Sequence, residues 1–435
     1  MINLELAPEI FRAVTECGYD KPTPIQQQVI PAILAGEDVI GAANTGTGKT
    51  AAYVLPLLHN LSLQKKSHKI RALILVPTRE LAIQVHESIK KYGVYLELTS
   101  MAMMGGVSIN PQIEQLKKTI DILVSTPGRL LDHVQQKTIN LSRVSMLVLD
   151  EADRMLDMGF IKDIKRILPL LPKERQNLLF SATFSGEIKN LMKEFFHNPR
   201  LITAQNSETT APAITHKVHP VDADKKRHLL EHLINENNWF QVLVFTRTKH
   251  MANRLGTALN DSGIPSGVIH GNKSQAARNR ALDYFKKGTL QALVATDVAG
   301  RGIDIANLPC VINYELPFVP EDYVHRIGRT GRAGKEGYAI SLVCVDELSL
   351  QRDIERLIKI KIKEEVIPGF EPDLTIAPKP LSRGGNQNRN GQNNRGGQRQ
   401  AQGGNSRNSQ HRSSQSRHRA RPNAQRQRNS DRSKV

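Results

Sequence analysis

The chain has 435 residues, 39% of them apolar, and a formal net charge of +18. That length suits about two to three domains with proper cores, and the charge points to a polyanionic partner. Three scattered cysteines (Cys17, Cys310, Cys344) argue against a disulfide framework or zinc site; residues 1–8 lack a leader pattern, and no apolar run approaches the ~20 residues that span a bilayer.

Residues 3–17 carry the spacing of an amphipathic helix (Leu4, Leu6, Ile10, Phe11, Val14). Pro22 and Pro24 then fix an extended turn before a helix over 26–35. Gln26 is either a surface residue of that connection or an amide able to pair with an adenine edge. Composition does not choose between these.

Next comes Ala43-Asn44-Thr45-Gly46-Thr47-Gly48-Lys49-Thr50, between apolar runs at 39–42 and 51–58. This reads as strand, tight turn and helix. Glycines let backbone N–H groups point at an anion, and the helix N-terminus adds positive charge. Lys49 would reach the β- and γ-phosphates, and the Thr50 hydroxyl would ligate Mg²⁺. The first glycine of the general phosphate-loop pattern is replaced by Ala43.

Short apolar runs follow at 72–76, 122–125, 146–149 and 178–180, separated by helical stretches. Such alternation predicts a mostly parallel sheet with ligands at the strand carboxyl ends. The runs lead into Pro77-Thr78-Arg79-Glu80, Thr126-Pro127-Gly128-Arg129, Asp150-Glu151-Ala152-Asp153 and Ser181-Ala182-Thr183. Asp150, at a strand end, is placed to hold Mg²⁺. Glu151 is placed to orient or deprotonate a water.

A polar stretch at 206–213 reads as an interdomain linker. A second strand series follows, at 242–245, 268–269, 292–295, 311–313 and 340–343. This half has no phosphate loop. It supplies arginines instead: Arg278, Arg301, Arg326, Arg329 and Arg332. Arg329 and Arg332 would share one face if helical, and an arginine aimed at a γ-phosphate across a cleft is the arginine-finger arrangement. Residues 345–363 read as a closing amphipathic helix. Residues 377–435 carry 12 Arg and 2 Lys against one acid, Asp431, with RGG triplets at Arg383 and Arg395. Such a segment is expected to be disordered and to hold nucleic-acid phosphates with little sequence preference.

At this point the ordered motifs GYDKPTPIQ, ANTGTGKT, PTRELA, Gly105-Gly106, TPGR, DEAD, SAT, VFTRT, Gln275 to Arg278, ATDVAGRGID and HRIGRTGR come together. Over residues 1–376 the chain resembles the DEAD-box ATP-dependent RNA helicases, most closely their bacterial RhlE-type members. The resemblance implies an α/β fold of two tandem RecA-like domains with parallel sheets, plus the disordered basic tail. The expected boundaries are 1–205 and 214–370 for the domains, 206–213 for the linker and 371–435 for the tail. It implies that Tyr19, Gln26 and residues 43–50 bind ATP, that Asp304 contacts the ribose, and that Arg329 and Arg332 reach the γ-phosphate. RNA contacts would come from Pro77, Thr78, Arg79, Gly106, Thr126, Gly128, Arg129, Thr248, Arg278, Thr296 and Asp297. Asp153, Ser181, Thr183 and His325 would couple hydrolysis to RNA release.

Three departures stand out. The usual aromatic upstream of the adenine motif falls at about Met1. Asn44 replaces Gln, with little expected effect. Gly300 replaces Ala, which is expected to loosen the segment carrying Arg301 and Asp304 by ~1 kcal/mol. The expected activity is RNA-stimulated ATP hydrolysis that locally unwinds short duplexes or remodels RNA–protein complexes, in a cytoplasmic monomer without a membrane partner, acting on single strands and short duplexes in ribosomal or RNA-decay assemblies. The rival is an ATP-gated RNA clamp or annealing protein; a DNA translocase is a weaker third option.

Overall fold

The apolar runs become strands because both faces of each sheet are covered, which favours continuous hydrophobic stretches over alternation with polar residues. The structure is a computed structural model that describes residues 5–42, 47–65, 67–184, 186–196, 198–203, 214–300, 305, 308–331 and 336–381. Expectations placed on Met1, residues 43–46, Arg301, Asp304, Arg332, the 206–213 linker and the tail from 382 onward lie outside these residues.

The strands are β1 (Val39–Ala42), β2 (Ala72–Leu75), β3 (Ser100–Met103), β4 (Ile122–Ser125), β5 (Met146–Asp150), β6 (Gln176–Ser181) and β7 (Arg200–Thr203), then β8 (Ile214–Pro220), β9 (Val242–Thr246), β10 (Ser266–Ile269), β11 (Ala292–Thr296), β12 (Cys310–Asn313), β13 (Gly337–Val343) and β14 (Lys363–Glu364). They form two seven-stranded sheets, ordered β3-β4-β2-β5-β6-β1-β7 and β10-β11-β9-β12-β13-β8-β14. Every strand pairing is parallel. The second order repeats the first with each number raised by seven, so the two halves share one topology. These are two tandem RecA-like domains.

Side-chain alternation splits each strand between two cores. On β2, Ala72 and Ile74 join the layer containing the helices Pro24–Leu34 and Lys49–Ser62, while Leu73 and Leu75 join the opposite layer. On β9, Val242 and Val244 face one layer, and Leu243 and Phe245 the other.

Several boundaries differ from expectation. The first helix is Pro8–Glu16, shorter than 3–17, because Pro8 sets its start and Gly18 follows at φ 75°. The closing helix is Leu348–Ile358, not 345–363: residues 345–347 form a 3₁₀ turn, and Lys359 takes a left-handed φ of 57° that stops it. The helix Pro320–Ile327 ends at Gly328, so Arg329 lies beyond it and is not helical. Backbone bonds from Asp373 to Asp222 (2.9 Å) and from Lys379 to Asp346 (2.6 Å) attach 371–381 to the second domain.

Gly300 is fitted, not slack. A Cβ there would run into the Phe245 ring. The Arg326 guanidinium lies 5.0 Å from the centre of that ring and grips Asp297 with two bonds, 2.6 and 2.8 Å. It also donates to Asn313 Oδ1 (2.9 Å) and the Glu315 carbonyl (2.7 Å). Arg326, grouped with the finger arginines in the sequence, is thus a buried tie between strand ends. Arg326→Met should destabilise the protein by about 3–5 kcal/mol, because it removes one member of a largely buried ion pair together with its other hydrogen bonds. Urea denaturation checks this; an unchanged midpoint would refute the tie.

Candidate active site

Parallel register brings the informative loops to one edge. Ala42 pairs with Ser181, Phe180 with Asp150, Leu149 with Leu75, and Leu75 with Ser125. The carboxyl ends of β1, β2, β4, β5 and β6 therefore lie side by side.

Gly48 caps the helix Lys49–Ser62 at φ 89°, and an added Cβ would meet Gln26 Nε2 at 2.5 Å. Both conditions demand glycine. The Gln26 amide oxygen accepts from the Thr23 N–H (2.9 Å), and its nitrogen donates to the Gly48 carbonyl (3.2 Å). Gln26 is thus fastened beside the phosphate loop. Tyr19, also expected to bind ATP, is half exposed. Its hydroxyl is 3.2 Å from that of Tyr92, and Lys91 lies over its ring.

Lys49 is 6% exposed, and its Nζ has no hydrogen-bond partner among the described residues. A buried ammonium facing acids but bonded to none suits an incoming polyphosphate. Asp150 Oδ1 accepts the Glu151 N–H (2.9 Å), and Oδ2 accepts the Tyr53 hydroxyl (2.8 Å). Burial pushes the Asp150 carboxyl up to about 6, against the pull of Lys49. Burial and Asp150 push the Tyr53 phenol far above its usual range, so it stays a donor.

Glu151 takes a left-handed backbone (φ 53°, ψ 52°) and bonds to Arg154. Burial alone would raise its carboxyl, but Arg154, Lys49 and Arg329 outweigh that and hold it below the ordinary range. Arg329 belongs to the second domain, so its charge reaches the first domain's acid.

Asp153 gathers the Ser181–Thr183 segment. Its Oδ2 accepts the Ala182 and Thr183 N–H groups (2.9 and 3.0 Å) and the Thr183 hydroxyl (3.3 Å), while Ser181 Oγ donates to the Thr183 carbonyl (2.6 Å). His325 lies half-buried on the helix Pro320–Ile327.

The residues expected to bind RNA lie at or after strand ends in both sheets. Thr78 and Thr248 cap the helices Arg79–Tyr92 and Lys249–Asp261 with their hydroxyls. Pro77 and Thr126 are buried at the ends of β2 and β4. Gly106 sits at φ 74°, with the Arg79 guanidinium where its Cβ would stand. Space over Gly128 is open, and Arg129 donates to the Val107 carbonyl (2.9 Å). Thr296 ends β11, paired with Thr246. The Asp297 carboxylate is committed to Arg326.

Arg278 departs from a simple contact role. Its guanidinium pairs with Glu80 at 2.9 Å, and Gln275 Nε2 donates to the other Glu80 oxygen at 2.7 Å. Glu80, in the first domain, is 4% exposed. Sequence reading quoted Glu80 only within the stretch after β2, and gave it, Tyr53 and Arg154 no role.

A DEAD/DEAH box helicase family model matches residues 23–191, and a helicase conserved C-terminal domain model matches 224–334. The ATP-dependent RNA helicase CshA of Listeria monocytogenes is 45% identical over 366 residues, covering 84% of this chain and 70% of that protein. The chain belongs to the DEAD/DEAH box helicase family. Among solved DEAD-box structures, S. cerevisiae Dbp5 bound to RNA and ADP BeF3 matches with a TM-score of 0.75 and 31% identity, covering 83% of this chain and 94% of that one. Mss116p bound to ssRNA and AMP-PNP matches with a TM-score of 0.74 and 30% identity, covering 83% and 77%.

Proposed function

We propose that this DEAD-box protein is an RNA-dependent ATPase that locally unwinds short RNA duplexes or remodels RNA–protein complexes by ATP-driven domain closure. The observation carrying this is the pairing of the domains across the site: Glu80 holds Gln275 and Arg278, and Arg329 bears on Glu151.

In this reading Gln26 recognises adenine, and Lys49 with the backbone of residues 43–48 holds the phosphates. Thr50 and Asp150 would hold Mg²⁺, a fit supported by the unpartnered Lys49 ammonium and the fixed Asp150 carboxylate. Bound there, the ion would withdraw charge from phosphate oxygens. Glu151 orients the water that attacks the γ-phosphate and takes its proton; Arg329 and Arg332 balance the charge on the phosphoryl group. RNA lies along Pro77–Arg79, Gly106, Thr126–Arg129, Thr248, Arg278 and Thr296–Asp297. ATP and RNA each favour closure, so each helps the other bind. Asp153, with Ser181, Thr183 and His325, passes phosphate loss to RNA release.

The finer points are also proposals. The RhlE-type subgroup rests on motif wording alone, since the Listeria relative carries the CshA name. A monomer in the cytoplasm, serving ribosomal or RNA-decay assemblies, is compatible with a near-balanced core. Among the described residues, no helix is long and apolar enough to cross a membrane.

The test is ATP hydrolysis by the purified chain with and without single-stranded RNA. Strong stimulation is expected; negligible hydrolysis with tight ATP-dependent RNA binding would favour the clamp. Removing residues 377–435 should raise the RNA concentration for half-maximal ATPase several-fold while turnover holds, because a polycation tethers RNA by effective concentration. An unchanged RNA requirement would sink the tether.

A further inference from the structure

Tyr53 lies on the helix Lys49–Ser62, three residues after Thr50 and so on the same face. It is fully buried. Its ring packs against Phe180 with centroids 5.1 Å apart. Phe180 pairs in register with both Asp150 and Gly41, and a Cβ on Gly41 would come within 2.6 Å of it. The tyrosine ring is therefore clamped by the strands that carry the phosphate loop and the acids.

The position of the hydroxyl is what packing alone does not explain. A phenylalanine would fill the same volume, and a buried hydroxyl is costly unless bonded. This one ends on Asp150 Oδ2 at 2.8 Å, and the Thr50 side chain also bonds to it. Asp150 Oδ1 is meanwhile held by the Glu151 N–H. Each carboxylate oxygen thus accepts one fixed bond. One hydroxyl joins the two residues assigned to the metal.

We propose that Tyr53 is a positioning residue for Mg²⁺–nucleotide binding: its hydroxyl sets the orientation of the Asp150 carboxylate and the Thr50 hydroxyl. The inference rests on the ATP-site reading above. Partners that orient a ligating carboxylate are typically worth about 10–100-fold in metal affinity.

The test uses the full chain and Tyr53→Phe, which removes one oxygen and keeps the ring. Binding of a fluorescent, non-hydrolysable ATP analogue is followed while Mg²⁺ is titrated, and again in EDTA. The Mg²⁺ concentration for half-maximal binding should rise about tenfold in the variant, with affinity in EDTA unchanged. A general packing defect would move both values and overturn the proposal. Coincident Mg²⁺ curves would also overturn it, leaving the ATPase reading intact. A wild-type protein with no Mg²⁺ dependence would remove the metal reading itself, and the inference with it.

Discussion

Glu151→Gln should lower RNA-stimulated ATP turnover by about 10³-fold, within the range that a positioned general base contributes. The substitution keeps the side chain's shape and its ability to accept from Arg154, so the fold and nucleotide pocket should survive. What it removes is the negative charge that can take a proton from water. Three cations hold that charge in place: Arg154, Lys49 and Arg329. They also make Glu151 a weak base, so its main service before bond breaking is to align the water, with proton transfer late. Capture of RNA in the presence of ATP should persist in the variant, because closure needs binding and not hydrolysis. Duplex unwinding over many turnovers should fail. Single-turnover and steady-state ATPase, read beside ATP-dependent RNA retention, separate these effects. A variant hydrolysing within a few-fold of wild type would strip Glu151 of the role, and would favour the clamp reading.

The sequence made the central strands legible because burial on both faces leaves an uninterrupted apolar run. β2, β4, β5, β9 and β11 all announce themselves this way. β3 and β7 did not, since edge strands need less burial: Ser100–Met103 is half-buried alternately, and Arg200–Thr203 buries Ile202 alone. β8, with two histidines and a lysine in seven residues, looks like a loop until β13 pairs with it. The shared fold of the two halves came from the family resemblance, since strand order is not written in residue identity. At the site, motifs located the loops, since a phosphate loop or acidic strand end has local chemistry. They could not show what those side chains touch. Gly300 read as slack because the Phe245 ring that fills its space is 55 positions away in the chain. Glu80 drew no role because its partners, Gln275 and Arg278, belong to the other domain.

Glu80→Ala should raise the RNA concentration for half-maximal ATPase at least tenfold, and should lower the stimulation RNA gives. In the paired state the Arg278 guanidinium is 8% exposed and Glu80 is its counter-charge. Taking away one member of a buried pair typically costs ~3–5 kcal/mol, because the survivor stays buried and uncompensated. Here that cost falls on closure alone: with the domains apart, water can solvate Arg278 and Gln275. Since ATP and RNA bind across the closed cleft, both affinities must carry the loss. At 1.4 kcal/mol per tenfold, even half of the penalty exceeds a factor of ten. Glu80→Gln should fall between, keeping an acceptor for Gln275 but no charge for Arg278. Thermal unfolding should move little in either variant, because each sheet keeps its own core. If Glu80→Ala left the RNA dependence unchanged, the Glu80–Arg278 pair would not be a closure latch. If the melting temperature fell as far as the RNA affinity did, the pair would be supporting the fold and not the coupling between domains.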